Sequence, residues 1–128
     1  MVRDADAVVV ALALTAETRH VIDASVLEAM PEHAMLVNVG RGGHIDTEAL
    51  VAALAAGSIG GAALDVTDPE PLPDGHPLWD EPRCLITPHV GNTPEMGAPL
   101  LESRVRENVS RFAIGRPLLG PVDVDAGY

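Results

Sequence analysis

Four polar side chains could carry chemistry in this sequence: Arg41, Asp65, Glu70 and His89. A guanidinium holds a carboxylate through two parallel hydrogen bonds, so Arg41 could orient a substrate that bears a carboxylate. An imidazole beside a carboxylate is favoured in its protonated form, so Glu70 would let His89 act as a general acid near neutral pH. Together these groups suit proton transfer at a carbonyl or hydroxyl next to a carboxylate. A bound nicotinamide would have to supply the redox centre.

Each of the four residues also has an ordinary structural interpretation when it is taken alone. Arg41 stands between glycines and could be a solvated turn residue, and His89 could belong to a surface loop. Glu70 could face solvent, and Asp65 could cap loop amides. The catalytic interpretation therefore depends on whether the fold brings the four side chains together.

Four apolar runs predict strands buried in a parallel sheet: residues 7–14, 35–39, 60–66 and 84–87. Between the first two runs, Asp23 is a plausible N-cap for a short helix that ends at Met30. Between the next two, Asp46 caps a helix over residues 47–56, and Gly57 is its left-handed stop. This alternation predicts an α/β fold with a doubly wound parallel sheet.

The rest of the chain predicts a stiff loop, a long helix and a tail. Residues 67–83 contain five prolines and cannot form a regular helix. A helix is expected from Pro94 to about Ile114, with one apolar face: Leu101, Val105, Val109 and Phe112. We expect residues 1–115 to belong to one domain and residues 116–128 to form an extended tail that docks on another part of the protein.

The four polar residues follow the predicted strands. Arg41 comes after the second strand, Asp65 and Glu70 come at and after the end of the third, and His89 comes after the fourth. Ligands bind outside the carboxyl ends of the strands in such sheets, and neighbouring strands lie only about 4.8 Å apart. We therefore expect the four side chains to converge at one edge.

The composition argues against several classes of partner. The 128 residues carry a formal net charge of −11 and only 2% aromatic residues, which disfavours nucleic acid and anionic membranes. The longest apolar run is too short to cross a bilayer, and the acidic residues before it argue against a signal peptide. A single cysteine, Cys84, cannot form an internal disulfide, so we expect a cytoplasmic protein.

A metal site is a weaker alternative. It would be built from His76, Cys84, His89 and Glu70, but no C-x-x-C or H-x-x-x-H spacing supports it. We expect no metal.

Six segments of the chain resemble the D-isomer-specific 2-hydroxyacid dehydrogenases, in order and with the family's spacing. The most telling are LVNVGRGG, EPLP and ITPHVG; the six segments are residues 12–20, 36–43, 61–66, 70–73, 76–79 and 86–91. The resemblance implies catalytic roles for Arg41, Glu70 and His89. It also implies an NAD or NADP site lined by Thr18, Val39, Gly40, Arg41, Asp65, His89, Gly91 and Asn92.

By the same resemblance, the full-length form would interconvert a D-2-hydroxy acid and its 2-keto acid, such as glyoxylate, hydroxypyruvate or phosphoglycerate-type substrates. It would be a homodimer through the NAD-binding domain. The chain departs from the family pattern at three positions: Ala13 replaces a frequent Pro, Gly40 a frequent Ala or Ser, and Asn92 a frequent Gly or Ser. None of these changes removes a reacting group, although Gly40 could loosen the turn that aims Arg41.

The sequence lacks the G-x-G-x-x-G turn that follows the first strand of a Rossmann fold. We therefore interpret it as the C-terminal half of a Rossmann-type sheet that begins in the fourth strand. The strand over residues 7–14 would then be an exposed apolar edge, prone to pairing with a second copy. Two alternatives remain open: a truncated product that is inactive in isolation, and a non-catalytic dinucleotide-binding or interaction module.

Overall fold

The computed structural model describes residues 2–125 of the chain, and within them it contains a parallel four-stranded sheet with helices. The strands, in chain order and in the order in which they pair, are β1 (Ala7–Val10), β2 (Met35–Asn38), β3 (Gly61–Leu64) and β4 (Cys84–Ile86). The helices are α1 (Ala24–Ala29), α2 (Thr47–Ala56) and α3 (Pro94–Ala113). Alternation of apolar runs and amphipathic segments thus yields the expected α/β, Rossmann-like sheet.

The cores of the strands and the helix caps agree with the sequence-based expectations. Asp23 accepts a hydrogen bond from the Val26 amide at the start of α1, and Asp46 accepts one from the Ala49 amide at the start of α2. Gly57 ends α2 with φ of 71°, in the left-handed region that glycine tolerates. The proline-rich segment contains only a short 3₁₀ turn, Pro77–Trp79.

The first strand is shorter than expected. The amide of Val39 donates to the carbonyl of Val10, but the next amide that would face β1, that of Arg41, donates instead to the side chain of His44. Because β2 offers no further ladder partner, residues 11–14 leave the sheet. The expectation that this run is a buried strand is also wrong, since Val9 is 61% exposed, whereas its place at the edge of the sheet among the described residues agrees with the expected exposed apolar edge.

The core of the sheet lies between its strands and the first two helices. Its fully buried members include Leu27 of α1, Leu36 of β2, and Leu50 and Leu54 of α2. Burying such side chains contributes roughly 1.5–3 kcal/mol each. This packing fixes the strand ends that carry the polar residues.

The residue contacts divide the chain into two compact units, Met1–His89 and Val90–Tyr128. The second unit contains α3, where the expected apolar side chains Leu101, Val105, Val109 and Phe112 are all exposed. Within that unit the Leu119 amide donates to the Asn108 side chain at 2.8 Å, so part of the tail lies against α3. Residues 126–128 of the expected tail lie outside the described residues.

Candidate active site

Glu70 and His89 form a hydrogen-bonded pair. His89 Nδ1 lies 2.7 Å from Glu70 Oε1, and both side chains are a little less than half exposed. The hydrogen bond from His89 lowers the pKa of Glu70, with smaller contributions from the Thr67 amide and from the charges of His89 and Arg41. The carboxylate is therefore the acceptor and Nδ1 the donor, which leaves His89 Nε2 as the atom that can exchange a proton with a ligand.

The backbone around the pair holds both side chains. The second carboxylate oxygen of Glu70 accepts a hydrogen bond from the Thr67 amide at 3.3 Å. His89 follows Pro88 with φ of 55°, in the left-handed region that a residue with a side chain rarely adopts. A positive φ in a residue with a side chain is a conformation that clusters at functional sites.

The pair forms part of the lining of a cleft of about 350 Å³. The lining residues all come from the first unit: Asp65, Thr67, Glu70, Pro71, Leu72, Trp79, Ile86, Thr87, Pro88 and His89. Apolar walls with a few convergent polar groups are typical of small-molecule sites. The expected convergence of side chains from β3 and β4 is thus present in the structure.

Asp65 lies in this cleft and is only 9% exposed. The Thr87 hydroxyl donates to Asp65 Oδ1 at 2.6 Å, which ties the ends of β3 and β4 together. The assignment of Asp65 to the cofactor site stays a prediction.

Arg41 lies at the end of β2, and its side chain is near enough to Glu70 to lower the pKa of that carboxyl. Its Nη1 donates to its own neighbour, the Gly40 carbonyl, at 2.7 Å. The turn beneath it is held by two buried side chains. Asn38 accepts from the Gly40 amide and donates to the Arg41 carbonyl, while His44 Nδ1 accepts from the Arg41 amide at 3.1 Å.

The other expected cofactor residues are placed less directly. Thr18 Oγ1 donates to the Ala13 carbonyl at 2.8 Å and accepts from the Thr15 amide, so this hydroxyl closes the loop after β1. Val39 is 50% exposed at the carboxyl end of β2. Gly91 and Asn92 belong to the second unit, so their assignment to the cofactor site stays a prediction.

The sequence reasoning missed Asn38 and His44 as site residues. Both side chains are fully buried. A signal was present in each case: Asn38 is the single polar residue at the end of an apolar strand, and His44 is a lone histidine three residues after Arg41. Leu72 and Trp79 line the cleft and lie within two segments that resemble the family, residues 70–73 and 76–79, but the sequence did not single them out as site residues.

Among residues 2–125, no group of three or more His, Cys, Asp or Glu side chains is arranged to hold a metal ion. Likewise, none of the described helices is both long enough and apolar enough to cross a membrane.

Comparison with known proteins defines the family. Residues 1–91 match the D-isomer specific 2-hydroxyacid dehydrogenase, NAD binding domain. The chain therefore belongs to the D-isomer specific 2-hydroxyacid dehydrogenase family, as the resemblance indicated. The expected cofactor class, NAD or NADP, is confirmed at the level of this family.

Several relatives are similar over almost the whole chain. An uncharacterized protein in the proB 3′ region of Corynebacterium melassecola is 49% identical over 125 residues, which cover 98% of this chain and 41% of that protein. Glyoxylate/hydroxypyruvate reductase A of Klebsiella pneumoniae is 40% identical over 114 residues, or 89% of this chain and 36% of the enzyme. The chain thus spans about two fifths of the length of these curated relatives.

Solved structures agree with this assignment. The crystal structure of a D-isomer specific 2-hydroxyacid dehydrogenase from Xanthobacter autotrophicus Py2 with NADPH and MES has a TM-score of 0.87 and 42% identity, over 99% of this chain and 52% of that one. An NADPH-dependent glyoxylate/hydroxypyruvate reductase from Sinorhizobium meliloti, with NADP and sulfate, has a TM-score of 0.90 and 32% identity, over 99% and 41%.

Proposed function

We propose that this chain supplies the acid–base pair and the carboxylate-binding arginine of a nicotinamide-dependent reductase that converts a 2-keto acid to the D-2-hydroxy acid, and the reverse. The observation that carries the proposal is the 2.7 Å contact between Glu70 and His89 in the lining of the cleft. Glyoxylate and hydroxypyruvate are the preferred candidates, because the names of several relatives state them.

The roles of the residues follow from their chemistry. Glu70 holds His89 with Nδ1 protonated, so Nε2 can give a proton to the keto oxygen, or take one from the hydroxyl in the reverse direction. Arg41 would hold the substrate carboxylate through its planar fork, and so orient the carbon that reacts. A bound NAD or NADP would supply or accept the hydride. Asp65 and Thr87 would orient its carboxamide.

The principal alternative is a non-catalytic dinucleotide-binding module. Such a module has no need of a carboxylate–imidazole pair, whereas the described cleft retains one beside a nearby guanidinium. The remaining expectations are part of the same proposal. They are a homodimer through the NAD-binding domain, a cytoplasmic location, a division of the chain at residue 115, and contributions of Gly91 and Asn92 to the cofactor site.

A chimera tests the proposal, because the chain covers 36% of the Klebsiella enzyme that it resembles. The matched segment of that enzyme is replaced by the corresponding residues of this chain, and oxidation of NADPH or NADH is followed with glyoxylate and with hydroxypyruvate. The proposal is supported if the chimera turns over either acid and the substitution His89→Ala abolishes that turnover. A folded chimera that binds NADPH but turns over neither acid supports the binding module instead.

Binding can be measured on the 128-residue chain itself. Trp79 is the single tryptophan of the sequence, and it lines the cleft. NADPH in the cleft should quench its emission, and Asp65→Asn should weaken this binding. Unchanged emission at saturating NADPH would argue against the cleft as a cofactor site in the isolated chain.

A further inference from the structure

The loop that carries Arg41 contains a buried histidine that the acid–base mechanism does not use. His44 lies in the 3₁₀ turn Gly42–His44, directly after Arg41, and its relative exposure is 0%. Its Nδ1 lies 3.1 Å from the Arg41 amide nitrogen and 2.9 Å from the Arg41 carbonyl oxygen. Because that carbonyl already accepts from Asn38 and an amide nitrogen can only donate, we assign Nδ1 as the acceptor of the Arg41 amide. The Nε2 atom has no hydrogen-bond partner among the described residues.

An unsatisfied buried nitrogen is unfavourable, and an apolar side chain of similar size would avoid it. The hydrogen bond that the imidazole does make is directed at the main chain of Arg41. Since Asn38 holds the carbonyl of the same residue, both peptide groups of Arg41 are fixed by buried side chains.

Gly40 is part of the same arrangement. A Cβ atom at this position would lie 3.1 Å from both Nδ1 and Cε1 of His44, closer than most such contacts in proteins. The glycine therefore leaves room for the imidazole ring. Gly40 is also one of the three positions at which the chain departs from the family pattern, and the His44 ring packs against the turn at this position.

We infer that His44 is a positioning residue: through its hydrogen bond to the Arg41 amide, with Gly40 making room for the ring, it fixes the turn that aims the Arg41 guanidinium at the substrate carboxylate. This inference rests on the proposed function. It concerns the binding of the keto acid, so substitutions of His44 should leave the binding of the dinucleotide unchanged.

The test compares two substitutions at the same position. His44→Leu keeps the volume but removes the acceptor, whereas His44→Asn places an oxygen close to the position of Nδ1 and keeps the acceptor. In the chimera described above, we expect His44→Leu to raise KM for glyoxylate about tenfold while the Kd of NADPH changes less than twofold. His44→Asn should restore KM to within about threefold of the parent value.

A structural measurement on the 128-residue chain accompanies the kinetics. Hydrogen exchange of the Arg41 amide, followed by NMR, should be slow in the parent chain and in His44→Asn, and fast in His44→Leu. The matched control is His33→Leu, a substitution of an exposed histidine just before β2, at the opposite end of the sheet. It should change neither readout.

The outcomes separate the two proposals. If the parent chimera turns over glyoxylate and His44→Leu leaves KM unchanged, the inference is wrong and the proposed function stands. If KM and the Kd of NADPH worsen together, or His44→Asn fails to rescue, His44 acts on folding alone and the inference is wrong. If the folded parent chimera turns over no keto acid, the proposed function fails. Independently of turnover, fast hydrogen exchange of the Arg41 amide in the parent chain would show that His44 does not fix the turn.

Discussion

In the proposed reaction, proton transfer by His89 depends on Glu70, because the ionised carboxylate of Glu70 keeps Nδ1 of His89 protonated. If this pair acts as proposed, His89→Ala should lower kcat by about 10² to 10⁴, the usual contribution of general acid–base catalysis. Binding of NADPH should stay within about twofold. Loss of NADPH binding with intact turnover per bound cofactor would contradict the assigned role.

Arg41 should not tolerate lysine, even though the charge is kept. A lysine ammonium is a point charge and cannot make the two parallel hydrogen bonds of a guanidinium. We expect Arg41→Lys to lower kcat/KM for glyoxylate about 10- to 100-fold, the equivalent of losing one charge-assisted hydrogen bond. Steady-state kinetics measure this, with Arg116→Lys in the tail as the control. Equal effects of the two substitutions would exclude a carboxylate-binding role.

The lowered pKa of Glu70 also makes a contribution to stability that depends on pH. A carboxyl whose pKa is lower in the folded chain than its ordinary value of 4.5 stabilises the fold above that value, and this contribution is lost as the pH falls through the folded-state pKa. Glu70→Gln removes it. The difference in Tm between parent and variant should therefore be largest near pH 6 and shrink below pH 4.5, as thermal unfolding at several pH values would show. A difference that stays constant from pH 6 to pH 3 would indicate a contact unrelated to ionisation.

At the scale of elements, the site depends on a close approach between the loops after β2 and β3. A Cβ atom on Gly42 would lie 1.9 Å from the Thr67 carbonyl oxygen, and the backbone there cannot yield without moving Thr67. A Cβ on the neighbouring Gly43 would meet only the ends of side chains, at 3.1 Å and beyond. The two adjacent glycines thus have different structural requirements.

Alanine substitutions at Gly42 and Gly43 should have different effects on stability. Gly42→Ala should destabilise the chain by about 1–3 kcal/mol or more, because it forces the loop that carries Thr67 and Glu70 away from the Arg41 turn. Gly43→Ala should change stability by less than about 1 kcal/mol. Urea unfolding followed by circular dichroism gives both values, and similar losses for the two variants would show that the approach of the loops is not the constraint.

The extent to which sequence predicted these elements depends on where the interactions lie. The core of each strand and the caps of α1 and α2 follow from local patterns, so they were predicted nearly residue by residue. The end of β1 depends on the turn after β2, where the Arg41 amide donates to His44 and does not continue the ladder to β1. The same holds for His44, since its contact with Arg41 exists only once the 3₁₀ turn has formed. Strand ends and supporting residues of the site therefore required the fold.

At the scale of the molecule, the sheet presents apolar surface on its β1 side. Among residues 2–125, β1 pairs with β2 alone, and Val9 is 61% exposed. Unpaired edges of this kind bind other strands, including those of a second copy. The exposed apolar residues of α3, such as Leu101, offer a second surface for association.

We expect the 128-residue chain to self-associate through β1. A lysine on an edge strand opposes strand pairing, so Val9→Lys should shift the mass measured by light scattering after size exclusion toward the 13.4 kDa of a monomer. Val124→Lys, at a valine outside the strands that is even more exposed than Val9, should leave the mass unchanged. If Leu101→Lys in α3 disperses the chain while Val9→Lys does not, α3 is the contact surface. A parent chain that is already a monodisperse, cooperatively melting monomer would show that the β1 edge is stable in water without a partner strand.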